Sequence, residues 1–272
     1  MCFPGRVQLH WHTEPFLLIT LLGIGWLYAI LLGPMRFKFP GAPPKAPRRE
    51  IWAFYTSLIV SYLAVASPLD QIGEQFLFSA HMIQHMLLVY VCPPLAIVGL
   101  PAWLTDEFFS KPICKKVLRF LFHPVAGGLI FSATYTIWHI PGLYEWALQD
   151  KTVHIIEHIT MYVTGWMMLW GFFSRSRVLP VSPYGVRMIA VFLLMVAQLP
   201  VFAFLTLSDT VLYPTYEWAP RIVPGFTAIQ DQVLGGLIMK VSNMLFSIIT
   251  FCVVFYIWVQ KERSEDLAFQ AS

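Results

Sequence analysis

Seven runs of mainly apolar residues, at about 15–33, 50–66, 74–98, 124–140, 153–173, 186–207 and 233–259, constrain this chain most. Each is close to the roughly 20 residues that an α-helix needs to cross a bilayer. With 57% hydrophobic and 12% charged residues and a mean hydropathy of +0.65, the composition is unlike that of a water-soluble domain. The stretches between runs reach only about two dozen residues, and the Pro-rich one, 39–47, reads as a linker. The first run lacks the charged n-region and small-residue cleavage site of a secretory signal, so it is expected to be retained. The expected fold is all-α: residues 1–272 form one polytopic domain, a seven-helix transmembrane bundle with the lipid bilayer as its first partner.

Lys and Arg set the expected orientation. Arg36, Lys38, Lys45, Arg48 and Arg49 fall between runs one and two, and Lys111, Lys115, Lys116 and Arg119 between three and four. Arg175, Arg177 and Arg187 fall between five and six, and Lys261 and Arg263 follow run seven. The alternate loops carry only Arg6, Lys151 and Arg221. This asymmetry puts the N-terminus outside and the C-terminus in the cytoplasm. The net charge of +3 is then an orientation signal, and nothing points to a nucleic-acid partner. Cys2, Cys92, Cys114 and Cys252 form no C-x-x-C motif and are not placed to pair.

In that orientation seven of the eight histidines lie at or near the outer ends of the spans. The clearest group is Ser79-Ala80-His81-Met82-Ile83-Gln84-His85-Met86-Leu87-Leu88 in run three. At about 100° per residue, His81, His85, Met82 and Met86 share an arc of about 140°, under half the circumference. Imidazole and thioether together suit copper, and the soft thioether favours Cu(I). Run five repeats the spacing with His154 and His158, and Glu157 beside them can orient an imidazole. In run seven Gln232, Gly236, Met239 and Asn243 form a polar stripe. Met239 is a candidate thioether ligand, Asp231 a candidate entry carboxylate, and Gln232 and Asn243 are supporting groups or interhelical hydrogen bonders.

Other residues leave alternatives open. His139 either joins the ligands or caps helix carbonyls. His10 and His12 either capture metal at the surface or belong to an interfacial Trp-His segment. Lys240, an intramembrane cation, is expected either in the site or paired with Asp70, Glu74 or Glu157.

The run Ser67-Pro68-Leu69-Asp70-x-x-Gly73-Glu74, then Phe78-Ser79-Ala80-His81-Met82-x-x-His85-Met86-Leu87-Leu88 and Pro93-Pro94-Leu95, resembles the motif of the CtaG-type cytochrome c oxidase assembly factors. Trp138-His139, His154-x-x-x-His158 and Gln232-x-x-Gly235-Gly236 continue it. The resemblance implies a non-enzymatic assembly factor in the bacterial cytoplasmic membrane. Its cargo would be copper, and its partner the catalytic subunit of a haem-copper oxidase. The copper donor stays unnamed, and neither a monomer nor a homo-oligomer is singled out. Three other readings of the residues remain: a haem-binding electron carrier using histidines of two helices, a metal-free assembly scaffold, and a metallopeptidase suggested by His154-Ile155-Ile156-Glu157-His158.

Overall fold

A computed structural model describes residues 10–11 and 15–270. The chain runs through helices α1 (Pro15–Leu32), α2 (Arg48–Ala66), α3 (Pro68–Gln75), α4 (Phe78–Met86), α5 (Cys92–Gly99), α6 (Ala102–Phe109) and α7 (Pro112–Leu121). It continues through α8 (Pro124–Trp138), α9 (Pro141–Gln149), α10 (Lys151–Phe173), α11 (Tyr184–Ala197), α12 (Leu199–Thr206), α13 (Pro214–Trp218) and α14 (Ala228–Gln270). Among the described residues there is no strand.

Proline punctuates these elements. Pro68, Pro112, Pro124, Pro141 and Pro214 each open a helix, where the missing N–H costs nothing. Pro93 and Pro94 sit inside a continuous helical segment and cannot donate to the carbonyls of Val89 and Tyr90. The chain absorbs this with a π-helical stretch, Leu87–Val91, between α4 and α5. Pro200 likewise breaks α11 from α12, and there the Lys240 ammonium donates to the Met195 carbonyl at 3.0 Å. Lys240 therefore caps a helix break instead of taking Asp70, Glu74 or Glu157 as its partner. Lys240→Met is expected to leave metal binding unchanged and to cost about 1 kcal/mol of stability, measured by thermal unfolding in detergent.

Burial is inverted relative to a water-soluble protein. Large apolar side chains such as Phe16, Trp26, Phe192 and Ile249 face outward, while Asp70, His81, Gln84, His85, Glu157, Gln232 and Asn243 are enclosed. Among the described residues four segments are long and apolar enough to cross a membrane: Pro15–Leu32, Phe78–Gly99, Tyr184–Thr206 and Ala228–Gln270. Two bent pairs, Arg48–Ala66 with Pro68–Gln75 (43°) and Lys115–Leu121 with Pro124–Trp138 (65°), raise this to six if each is one span. The remaining expected span coincides with α10, 23 residues long, whose apolar character is interrupted by His154, Glu157 and His158. Those residues are what the bundle is built around.

Helix α10 packs along α8 and α5, and α14 along α4, α11 and α12. Gly165 lets α10 lie against Val89 and Pro93, where an added Cβ would rest 3.6–3.7 Å from them. Toward the N-terminal turns of α10 the space facing α4 is filled by imidazole rings.

Candidate metal centre

Both histidine-bearing helices are started by a carboxylate. Asp150 caps α10, accepting from the backbone N–H groups of Thr152 at 2.8 Å and Val153 at 3.1 Å. Helix α4 has no side-chain cap of its own at Leu77. Asp231 of α14 supplies one from a distant part of the chain: its Oδ2 accepts from Phe78 N at 2.6 Å and its Oδ1 from Ser79 N at 3.1 Å. Asp231 is thus a buried anchor of the His81 helix, which accounts for its carboxylate without an entry role. Gln232 is likewise engaged with backbone: it accepts from Leu212 N at 2.7 Å and donates to the carbonyls of Leu205 and Thr210.

Helix α3 lies directly behind His81. A Cβ on Gly73 would come within 2.9 Å of the His81 Cα, so glycine is what permits the approach. Gln84 donates to Asp70 at 2.5 Å, tying α3 to α4. The Gly73 carbonyl accepts from the Tyr216 hydroxyl at 2.7 Å, and Tyr216 lies 3.1 Å from the Tyr144 hydroxyl. Tyr144 stands over His81 with ring centroids 5.4 Å apart. Tyr213 packs against Tyr144 with the ring centroids 4.1 Å apart and the planes tilted by 33°, and it donates to the His139 carbonyl. This aromatic wall of Tyr144, Tyr213 and Tyr216 has no signal in helical spacing, because it comes from two short helices outside the apolar runs, α9 and α13, and from Tyr213, the extended residue that precedes α13.

Within that frame the first two turns of α4 and of α10 bring four imidazoles together. His81 Nε2 lies 2.6 Å from His85 Nε2. Ring centroids are 5.3 Å apart for His81 and His154, 5.8 Å for His81 and His158, 5.1 Å for His85 and His158, and 4.2 Å for His154 and His158. Glu157 Oε1 is 3.7 Å from His85 Nε2. At the edge, Glu74 Oε1 takes His154 Nδ1 at 2.6 Å, and its side chain is 30% exposed. Glu74 therefore orients a candidate ligand, with the His154 Nε2 lone pair turned to the cluster.

Among the described residues two triads have the spacing for a metal ion, His81 with His85 and His158, and His81 with His154 and Glu157; in each, the candidate ligand atoms lie within 4.8 Å of one another. His81 Nδ1, His85 Nδ1, His154 Nε2, His158 Nε2 and both Glu157 oxygens are buried without a hydrogen-bond partner. Each such group costs about 1–3 kcal/mol when left unmade, so clustering six of them fits a ligand set far better than a purely structural core. The donor set, imidazole with one carboxylate, suits a transition-metal cation.

The other candidates fall around this core. His139 ends α8 with Nδ1 2.7 Å from the Tyr135 carbonyl and belongs to neither triad. Met82, Met86, Met161 and Met239 are buried in one continuous apolar cluster, and Met82 packs toward α14, where a Cβ on Gly235 would lie 3.2 Å from its Cγ. Asn243 donates at 2.9 Å to the Tyr90 hydroxyl, which also accepts from Gln198 at 3.0 Å, a polar knot at the π-helical stretch. His10 is exposed, its backbone N–H bonded to Gln71 at 2.9 Å, and His12 lies outside the described residues.

Comparison with known proteins places this architecture. An uncharacterized protein of Mycobacterium bovis and one of Mycobacterium tuberculosis are each 25% identical over 212 residues, covering 69% of this chain and 31% of theirs. One of Mycobacterium leprae is 22% identical over 264 residues, covering 89% of this chain and 38% of its own. The chain thus spans about a third of the length of the curated relatives it matches. No solved structure matches. The model of the cytochrome c oxidase caa3 assembly factors matches residues 26–261, a stretch that includes α4 and α10 with their histidines and the part of α14 that carries the anchoring carboxylate Asp231. The chain belongs to the cytochrome c oxidase caa3 assembly factor family, CtaG.

Proposed function

We propose that this assembly factor binds Cu(I) between α4 and α10 and passes it to the catalytic subunit of a haem-copper oxidase in the same bacterial cytoplasmic membrane. The observation that carries the proposal is the buried set of unpartnered donor atoms on His81, His85, His154, His158 and Glu157. The Lys and Arg count supports the orientation in which the cluster lies near the outer leaflet, with both termini of the bundle on opposite sides. Met82, Met86 and Met239 stand as supplementary thioether ligands, close in sequence or packing to the same helices. Imidazoles held between helices bind copper without the grip of a thiolate cluster, which suits a carrier that must release its cargo.

The packing speaks against a haem carrier. The four rings touch one another and Tyr144 covers His81, so no slot separates them for a flat macrocycle. A peptidase is disfavoured as well, since Glu157 is fully enclosed and a catalytic carboxylate of that type must meet water and a peptide.

The test is complementation of a strain lacking this chain. The parent is expected to restore an oxidase whose catalytic subunit contains copper. His81→Ala/His85→Ala, produced to the same level, is expected to leave that subunit with haem but without its copper. Full copper content with the variant would overturn copper delivery in favour of a metal-free scaffold.

A further inference from the structure

We infer that the start of α11, with Arg187 and Lys261, binds the phosphate group of an anionic phospholipid from the adjoining leaflet. Lys261 lies about 45 Å along α14 from Asp231, so this site is remote from the metal centre and independent of the copper reading.

Arg187 carries the inference. It is 8% exposed, its Nε is buried without a hydrogen-bond partner, and none of the ion pairs among the described residues includes it. A buried guanidinium with no counter-charge is costly, and an anion bound beside it removes the cost. The side chain runs back toward the helix start, with Cζ 4.8 Å from the ring centroid of Tyr184, the first residue of α11. Lys261 Nζ approaches the same ring at 5.9 Å, so α11 and α14 bring two cations to one place. Lys261 already has Glu265 one turn along at 3.6 Å, in an exposed pair, which leaves Arg187 as the uncompensated charge.

The helix start complements it. After Pro183, α11 begins with no side-chain cap and no acid in its first turn, so the amides there and the positive end of the helix dipole lack a side-chain acceptor. A Cβ on Gly185 would meet nothing within 4 Å, so the approach is open. The surroundings select a lipid over free phosphate. Beyond the site α11 exposes Ile189 and Phe192, and α14 exposes Ile257 and Trp258, apolar surface that acyl chains cover. The Lys and Arg count assigns this end of the bundle to the cytoplasmic leaflet, where anionic headgroups concentrate.

The experiment is mass spectrometry of the intact full chain in detergent with equal amounts of phosphatidylglycerol and phosphatidylcholine, counting the lipid retained. The parent is expected to prefer phosphatidylglycerol by about tenfold or more, the scale of a charge-assisted hydrogen bond. Arg187→Gln is expected to lose the preference, Arg187→Lys to keep part of it, and Lys261→Gln to reduce it. Excess inorganic phosphate is expected to leave the lipid in place. Equal retention of both lipids by the parent overturns the inference, as does an unchanged preference in Arg187→Gln or in Lys261→Gln. Displacement by inorganic phosphate overturns it too, since the ligand is then free phosphate. Should Arg187→Gln not fold, Lys261→Gln, which alters an exposed side chain, decides by the same criterion.

Discussion

His81→Ala/His85→Ala is expected to abolish copper retention by the purified chain while leaving a folded helical bundle. Copper follows from the geometry, because both triads contain His81 and one also loses His85. Persistence of the fold follows from opposing terms. Removing a large buried side chain usually costs about 3–5 kcal/mol through lost contacts and a cavity. Here each ring also carries a buried nitrogen with no partner, a burden of about 1–3 kcal/mol that disappears with the ring. The net loss per site is therefore well below that of an apolar core residue such as Phe78.

Linkage gives the same prediction a second readout. A ligand that binds only the folded protein stabilises it by about 4 kcal/mol when present at about 1,000 times its dissociation constant. Cu(I) is thus expected to raise the unfolding temperature of the parent and to leave that of the double variant unmoved. A copper-induced shift of equal size in both would place the ligands elsewhere, with Met82, Met86 and Met239 next in line.

Much of this site was legible before any coordinates. Histidines four apart fall on one face of a helix, so His81 with His85 and His154 with His158 are pairs by periodicity alone, and charge asymmetry is the ground for expecting both pairs at one side of the membrane. Periodicity is silent about which neighbour each face meets. It groups Met82 with His81 on one arc, yet in the bundle Met82 packs toward Gly235 of α14 while the histidines gather against α10. Short helices in connecting segments carry no apolar run, and so the Tyr144, Tyr213 and Tyr216 wall was invisible. Lys240 shows the same limit: a lone cation in an apolar run invites a carboxylate partner, but a proline break one helix away offers a carbonyl instead. The seven runs appear as helices, though bends at Ser67 and before Pro124, and the polarity of α10, leave four to six that pass as spans on length and hydropathy.

Asp231 is where function and fold are hardest to separate, and its substitution carries the second large effect. Asp231→Ala is expected to destabilise the protein by about 3 kcal/mol or more, because two backbone N–H groups at the start of α4 lose a charged acceptor inside the protein and no water replaces it. Thermal unfolding in detergent measures the loss. Asp231→Asn keeps one oxygen acceptor and is expected to recover about half of it. Copper retention separates the anchor from a ligand. A ligand's role depends on its lone pairs, so both variants would lose copper equally. An anchor acts through the position of α4, so Asp231→Asn should retain copper in parallel with its recovered stability. Because Phe78 and Ser79 precede His81 within a single turn, any drift of that helix end moves the shared ligand first, and copper should be lost before the bundle unfolds.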